Sequence, residues 1–263
     1  MALIQVKGVG LEVRRIAAPD GAAGGRAPIV FLHEGLGSVA LWTSREGDWP
    51  AQVCEAAGRA GIVYSRRGYG GSDTVPDVRG TGRLAPDYMH GEAWEVLPAL
   101  LQALGETRPP VLLGHSDGGS IALLHASRHP VAACIVMAPH VIVEDVSLRS
   151  IAEARTAYEA GGLRERLARY HADVDTAFWQ WNDIWLSDGF RRFDIREDCR
   201  RIAAPVLAIQ GEGDPYGTMA QIDEIHPAGP ITRHKLADCG HSPHRDQAAL
   251  SRRLVADFLA RQP

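Results

Sequence analysis

Hydrophobic positions in this chain fall into short continuous runs separated by longer stretches with helical spacing. The runs Pro28–His33, Gly61–Ser65, Val111–Leu113, Ala132–Met137, Pro205–Gln210 and Ile231–Leu236 each read as a strand. The first five carry no polar alternation, which predicts strands covered on both faces, as in a parallel sheet. Two shorter strands, Ile4–Lys7 and Leu11–Ile16, precede them, joined at Gly8-Val9-Gly10, and a Gly/Ala-rich turn is expected from Asp20 to Arg26. Helices are predicted over much of Val39–Ala57, over Ala85–Leu104 with Pro98 as a flaw, over Asp117–Arg128, and at the end of the chain through Leu254, Val255, Phe258 and Leu259. Strands alternating with helices imply a mostly parallel sheet flanked on both sides.

The alternation is broken once. From about His140 to Arg200 there is no strand-like run, only helical spacing: Leu163, Leu167 and Tyr170, then Phe178, Trp181 and Trp185. A helical insertion over 140–200 is expected, within a core formed by 1–139 and 201–263. The insertion holds three of the six tryptophans, Trp179, Trp181 and Trp185. The aromatic face either docks the insertion on the core or lines a pocket beneath it, and one helix can do both.

The turn after Val111–Leu113 reads Gly114-His115-Ser116-Asp117-Gly118-Gly119-Ser120. Gly-x-Ser-x-Gly between a strand and a helix has the form of a nucleophile elbow, in which the glycines permit close packing and the serine is pushed out at the sheet end. The plain alternative is a strand-to-helix turn with Ser116 as a cap. A nucleophilic serine needs a base and an orienting acid. Asp214 ends the strand Val206–Gln210, although Gly213 and Pro215 also suit a turn aspartate. Glu212 is a second, less favourably placed acid. His241 follows Gly240 after the last strand, with His244 as its competitor. An imidazole fits because its pKa near 6.5 lets it exchange a proton at neutral pH. Two N–H donors for a developing oxyanion are expected from Asp117 and from the loop His33-Glu34-Gly35-Leu36-Gly37-Ser38, with Leu36 first and Gly35 next.

Ser116, Asp214 and His241 occur in the chain order of α/β-hydrolases. Together with His33–Ser38, Arg67-Gly68-Tyr69-Gly70-Gly71-Ser72 and Gly240-His241-Ser242-Pro243-His244, they make nearly the whole chain resemble that superfamily. The resemblance implies an α/β-hydrolase fold: an eight-stranded, mostly parallel sheet flanked by helices, with a helical cap inserted after strand six. Two departures stand out. Glu34 interrupts the usual His-Gly-x-Gly form of the oxyanion loop, and Ser65-Arg66-Arg67 stands where many relatives carry an acid. Arg66 is expected to be a surface charge, or else a contact for Glu34 or for an anionic substrate group.

The resemblance, with serine at the elbow, implies hydrolysis of a carboxylic ester or related acyl bond through an acyl-enzyme on Ser116. The alternatives are a carbon–carbon (β-diketone) hydrolase, thioesterase or lactonase of aromatic degradation, and a slow, receptor-like ligand binder. Substrate contacts are expected among His33, Glu34, Arg66, His115, His140, Trp181 and Trp185. The 263 residues are 45% hydrophobic and 23% charged, with a net charge of −4. That balance suits a globular protein and argues against a nucleic-acid partner. No apolar stretch approaches the roughly 20 residues that span a bilayer, and the N-terminus lacks a signal-peptide core. A cytoplasmic monomer or homodimer acting on a small molecule is expected, with no cofactor, no metal and no membrane partner. The four cysteines are scattered without a C-x-x-C pair, and Cys134 reads as a core residue.

Overall fold

The computed structural model describes residues 1–20 and 25–262, so most of the turn expected at 20–26 lies outside the described residues. Eight strands form the main sheet: β1 (Ala2–Val6), β2 (Val9–Ile16), β3 (Ile29–Leu32), β4 (Gly61–Tyr64), β5 (Val111–His115), β6 (Ala133–Met137), β7 (Val206–Gly211) and β8 (Ile231–Leu236). Their order is β1-β2-β4-β3-β5-β6-β7-β8. β2 pairs antiparallel with both β1 and β4, and every other pairing is parallel. The turn between the first two strands falls at Lys7-Gly8, both at positive φ, one residue earlier than the sequence suggests.

The apolar runs are buried on both faces because alternate residues enter different layers. Val30, Leu32, Ile62, Tyr64, Leu112 and Val136 face one layer, and Ile29, Phe31, Val63, Val111, Leu113 and Ile135 the other. The second layer is closed by α1 (Trp49–Ala57) and, at the far end of the chain, α11 (Ala248–Leu259). The first is closed by α2 (Tyr88–Gly91), α3 (Leu97–Ala103) and α4 (Asp117–Ala126).

Two predicted helices differ from expectation for local reasons. The helix anticipated over 39–57 is confined to α1. A short 3-10 turn, Ala40–Trp42, and a small hairpin, Thr43–Ser44 with Gly47–Asp48, occupy the first half. Gly47 sits at φ 111, and the Asp48 carboxylate then caps α1 by accepting from the Ala51 N–H at 3.2 Å. Pro98 does not divide its helix. A π-helical turn, Glu92–Val96, widens the spiral just before α3, where the proline lacks an N–H and its ring crowds the preceding turn.

Between β6 and β7 the chain is helical: α5 (Asp145–Glu159), α6 (Gly162–Leu167), α7 (Val174–Trp185) and α8 (Arg196–Cys199). Beyond β7 lie α9 (Ala220–Asp223) and α10 (Pro243–Asp246). One bridge, Ile142 to Asp194, ties the two ends of the helical stretch together. Its aromatic face does double duty. Phe178 stacks on Tyr158 in the core at 3.6 Å, while Trp181 and Trp185 reach a cavity above the sheet.

The tightest backbone approach is at the start of α4. A Cβ on Gly118 would lie 2.1 Å from the Leu32 carbonyl oxygen, and one on Gly114 would lie 2.1 Å from the Gly118 carbonyl. No side-chain rotation relieves a clash with backbone. Gly118→Ala is therefore expected to cost about 3 kcal/mol or more, lowering the melting temperature by about 6 °C or more in a thermal unfolding scan. An unchanged melting temperature would mean that the turn can open without penalty.

Candidate active site

Apart from Trp181 and Trp185 on α7, the candidate residues lie at or near the carboxyl ends of the parallel strands, where open α/β sheets gather their ligands. Ser116 follows β5 with φ 52 and ψ −120, a region that side chains rarely adopt. The conformation is held by the Ser116 N–H donating to the Met137 carbonyl at 2.9 Å, and by the Gly119 and Ser120 N–H groups donating back to the Ser116 carbonyl at 2.8 and 3.1 Å. The serine thus stands at the head of α4.

His241, in the loop after β8, lies beside Asp214, in the loop after β7. The imidazole Nδ1 is 2.9 and 3.0 Å from the two carboxylate oxygens. The Asp214 side chain is 1% exposed. Its oxygens also accept from the Tyr216 N–H at 2.8 Å and from the Gln210 amide at 3.2 Å. Burial pushes this carboxyl up, but the donors, His241 foremost, hold it below its ordinary value. Gln210 is itself buried and anchored to the Gly217 carbonyl at 3.0 Å. Glu212 is exposed and takes no part. His244 is buried against Trp42, Trp49 and His115, where burial drives its pKa far down.

Ser116 and His241 line one cavity of about 210 Å³. Glu34, Gly35, Leu36, His115, Asp117 and His140 line it too, and Ile151, Trp181, Trp185, Tyr216 and Ser242 complete the wall. Gly35 is pressed under Trp181: a Cβ there would sit 2.1 Å from the indole nitrogen. The Gly37 N–H is committed to the Glu34 carbonyl at 3.0 Å. The N–H groups of Leu36 and Asp117 donate to no acceptor among the described residues, and the Asp117 N–H heads a helix, where such donors have no intrahelical partner.

Two expected substrate contacts do not reach this cavity. Arg66 is no surface charge, since it is 2% exposed. Its guanidinium donates to the His33 carbonyl at 2.6 Å and the Glu34 carbonyl at 3.1 Å, and lies 3.9 Å from Asp117 Oδ2. His33 is likewise sealed in. Its Nε2 accepts from the Arg66 N–H at 3.0 Å, so Nδ1 carries the proton and donates to the Glu34 carbonyl at 2.7 Å. Burial, with Arg66 beside it, holds this imidazole neutral. The Asp117 carboxyl is pushed up by burial, although Arg66 opposes the shift, and it accepts from the Tyr88 hydroxyl at 2.6 Å.

Besides Ile151 in the wall and Gln210 on Asp214, Tyr216 and His171 escaped sequence reasoning. Tyr216 lies with its ring 4.7 Å from that of His241. His171 accepts from the Gly70 N–H at 3.0 Å through Nδ1 and donates from Nε2 to the Leu36 carbonyl at 3.0 Å. No signal marked His171 among eleven histidines. Tyr216 lay two residues beyond Asp214, close enough to suspect.

The model of the Alpha/beta hydrolase family matches residues 29–253, and the chain belongs to that family. The putative carbamate hydrolase RutD of Variovorax paradoxus is 28% identical over 92% of this chain and 94% of its own length. The bifunctional esterase/perhydrolase DCH of Acinetobacter calcoaceticus is 24% identical over 89% and 91%. The enol-lactonase from Burkholderia xenovorans LB400 superposes with a TM-score of 0.67 at 22% identity, covering 97% of this chain and 98% of that one. That structure shares the fold. Among the described residues no helix is long and apolar enough to cross a membrane.

His33, His140 and His244 are all held neutral by burial, His140 with its pKa lowered to about 3. In the unfolded chain each titrates near 6.5, so the unfolded state binds more protons below that pH and stability falls as the pH drops. Burial raises the carboxyls of Asp117 and Glu92 and works the other way, so one imidazole must be isolated. His140→Phe should lose about 2 kcal/mol less than wild type between pH 7 and pH 5 in urea unfolding. Parallel losses would show that His140 takes up a proton in the folded protein.

Proposed function

We propose that this hydrolase cleaves carboxylic esters of small, uncharged acyl groups through an acyl-enzyme on Ser116. The observation that carries the reading is the His241–Asp214 pair opening onto the same cavity as a serine held on a strained elbow. Ser116 Oγ attacks the carbonyl carbon as His241 Nε2 takes its proton. Asp214, bonded to Nδ1, fixes the tautomer and stabilises the imidazolium. The oxyanion forms against the N–H groups of Leu36 and Asp117, whose hydrogen-bonding capacity is uncommitted. His241 then protonates the leaving alkoxide, and a water deprotonated by the same imidazole releases the acid. The helices over 140–200 act as a cap, with Trp181 and Trp185 forming the roof. The names of the two sequence relatives, an esterase and a carbamate hydrolase, point to the same acyl chemistry.

The choice of an uncharged acyl group follows from the lining. No lysine or arginine borders the cavity, and its charged members Glu34 and Asp117 are carboxylic. The two nearby guanidinium groups are engaged, Arg66 as described and Arg245 with the Leu41 carbonyl at 2.9 Å. An anionic substrate would enter without a counter-ion at a cost of several kcal/mol. The cavity is also smaller than the usual range of about 300 to 1,000 Å³ for drug-sized ligands.

Purified protein mixed with p-nitrophenyl butyrate should release an initial burst of one p-nitrophenolate per active site. Ser116→Ala should turn over at least about 10⁴-fold more slowly. Near-equal rates for the two proteins would rule out every nucleophilic version, and ligand binding without any acyl-enzyme would favour the receptor-like alternative. Charge is tested separately: mono-p-nitrophenyl succinate, of similar length but anionic, should show kcat/KM lower by about tenfold or more. A preference for the anionic ester would overturn the assignment of an uncharged acyl group.

A further inference from the structure

Glu34, the residue that interrupts the oxyanion loop, turns its side chain back beneath its own loop. Its Oε2 lies so close over Gly37 that a Cβ there would be 2.6 Å away. The same oxygen is 3.4 Å from His115 Nδ1, and Oε1 is 3.6 Å from the Arg245 guanidinium. Burial alone would push this carboxyl up, but His115 foremost and Arg245 hold it well below its ordinary value, so it is an anion.

His115 is 1% exposed and immediately precedes Ser116. A carbonyl can only accept, so its Nε2 carries a proton and donates to the His241 carbonyl at 2.7 Å. Nδ1 is the nitrogen turned to Glu34; at 3.4 Å it makes no hydrogen bond there, so the contact is ionic and attractive when Nδ1 carries a proton as well. The imidazole therefore links the oxyanion loop, the elbow and the loop bearing the base. Arg245, four residues after His241, closes the circuit by contacting Glu34 and donating to the Leu41 carbonyl.

We propose that Glu34 and His115 form a positioning relay: Glu34 orients His115, and His115 holds the main chain of His241 over Ser116. Neither touches the reacting atoms in this role. Although Glu34 borders the cavity, both its carboxylate oxygens face protein partners and only 16% of its side chain is exposed. This rests on Ser116 being the nucleophile, so the test must separate the two ideas.

The probe is a fluorophosphonate ester, whose capture by Ser116 needs the base and the oxyanion donors but no particular acyl fit. Wild type labelled at Ser116, found by peptide mass spectrometry, secures the underlying reading; no labelling there sinks that reading independently of this one. With wild type labelled, Glu34→Gln should react about 10- to 100-fold more slowly and lower kcat for p-nitrophenyl butyrate by a similar factor, with KM within threefold. His115→Asn, whose amide keeps a donor, should retain more activity than His115→Leu. The double variant Glu34→Gln, His115→Leu should be no slower than His115→Leu alone, because a relay is broken once. A wild-type labelling rate in Glu34→Gln overturns the proposal, as does a rise confined to KM, which would make Glu34 a substrate contact. Multiplicative losses in the double variant would show two independent effects and also overturn it. Should Glu34→Gln fail to fold, Glu34→Asp, shortened by one methylene, carries the same comparison.

Discussion

The site depends on one approach of backbone to backbone, that of the first turn of α4 to the ends of β3 and β5. Gly114 and Gly118 let the helix head settle against the Leu32 carbonyl. That closeness brings the Asp117 N–H and the Glu34–Gly37 loop to one end of the sheet. It also forces Ser116 into its unusual backbone conformation, which adjoining hydrogen bonds to β6 and α4 sustain. Local strain is stable here because the sheet around it is rigid and buried on both faces.

Around this turn, two charged braces work on opposite sides. Behind the elbow, Arg66 grips two carbonyls of the loop after β3 and neighbours the Asp117 carboxyl. In front, Glu34 meets His115 and Arg245. Each buried ion is compensated, as burial demands. What remains facing the cavity, besides these two carboxyls, is aromatic surface, imidazole and backbone N–H.

Much of this could be read from the chain. The sheet was legible because buried parallel strands appear as unbroken apolar runs, and the elbow because only glycine tolerates so close a turn. The meeting of Asp214 with His241 could be anticipated because strand ends supply loops that face the same side. Arg66 meets one of the expected alternatives, a contact with Glu34, though to its carbonyl; the surface charge first expected there and the substrate contact expected of His33 fail because each side chain is tied to main chain across the Arg66–His33 pairing, 33 residues apart. The helix over 39–57 was overextended because apolar spacing outweighed the stop signals at Gly47, Asp48 and Pro50. His171 left no trace at all, since its partners Gly70 and Leu36 lie about a hundred residues or more away in sequence.

That histidine has a mechanical consequence. His171 comes from the helical stretch between β6 and β7, yet it grips the Leu36 carbonyl and the Gly70 N–H, and the adjacent Ala172 N–H donates to the Gly70 carbonyl at 2.8 Å. Roof and floor of the cavity are thereby riveted together beside Leu36. The stretch cannot swing away as a free flap without tearing these bonds and releasing Leu36. Opening the cavity on this side would therefore also free the loop that carries Leu36, so roof and floor can loosen only together.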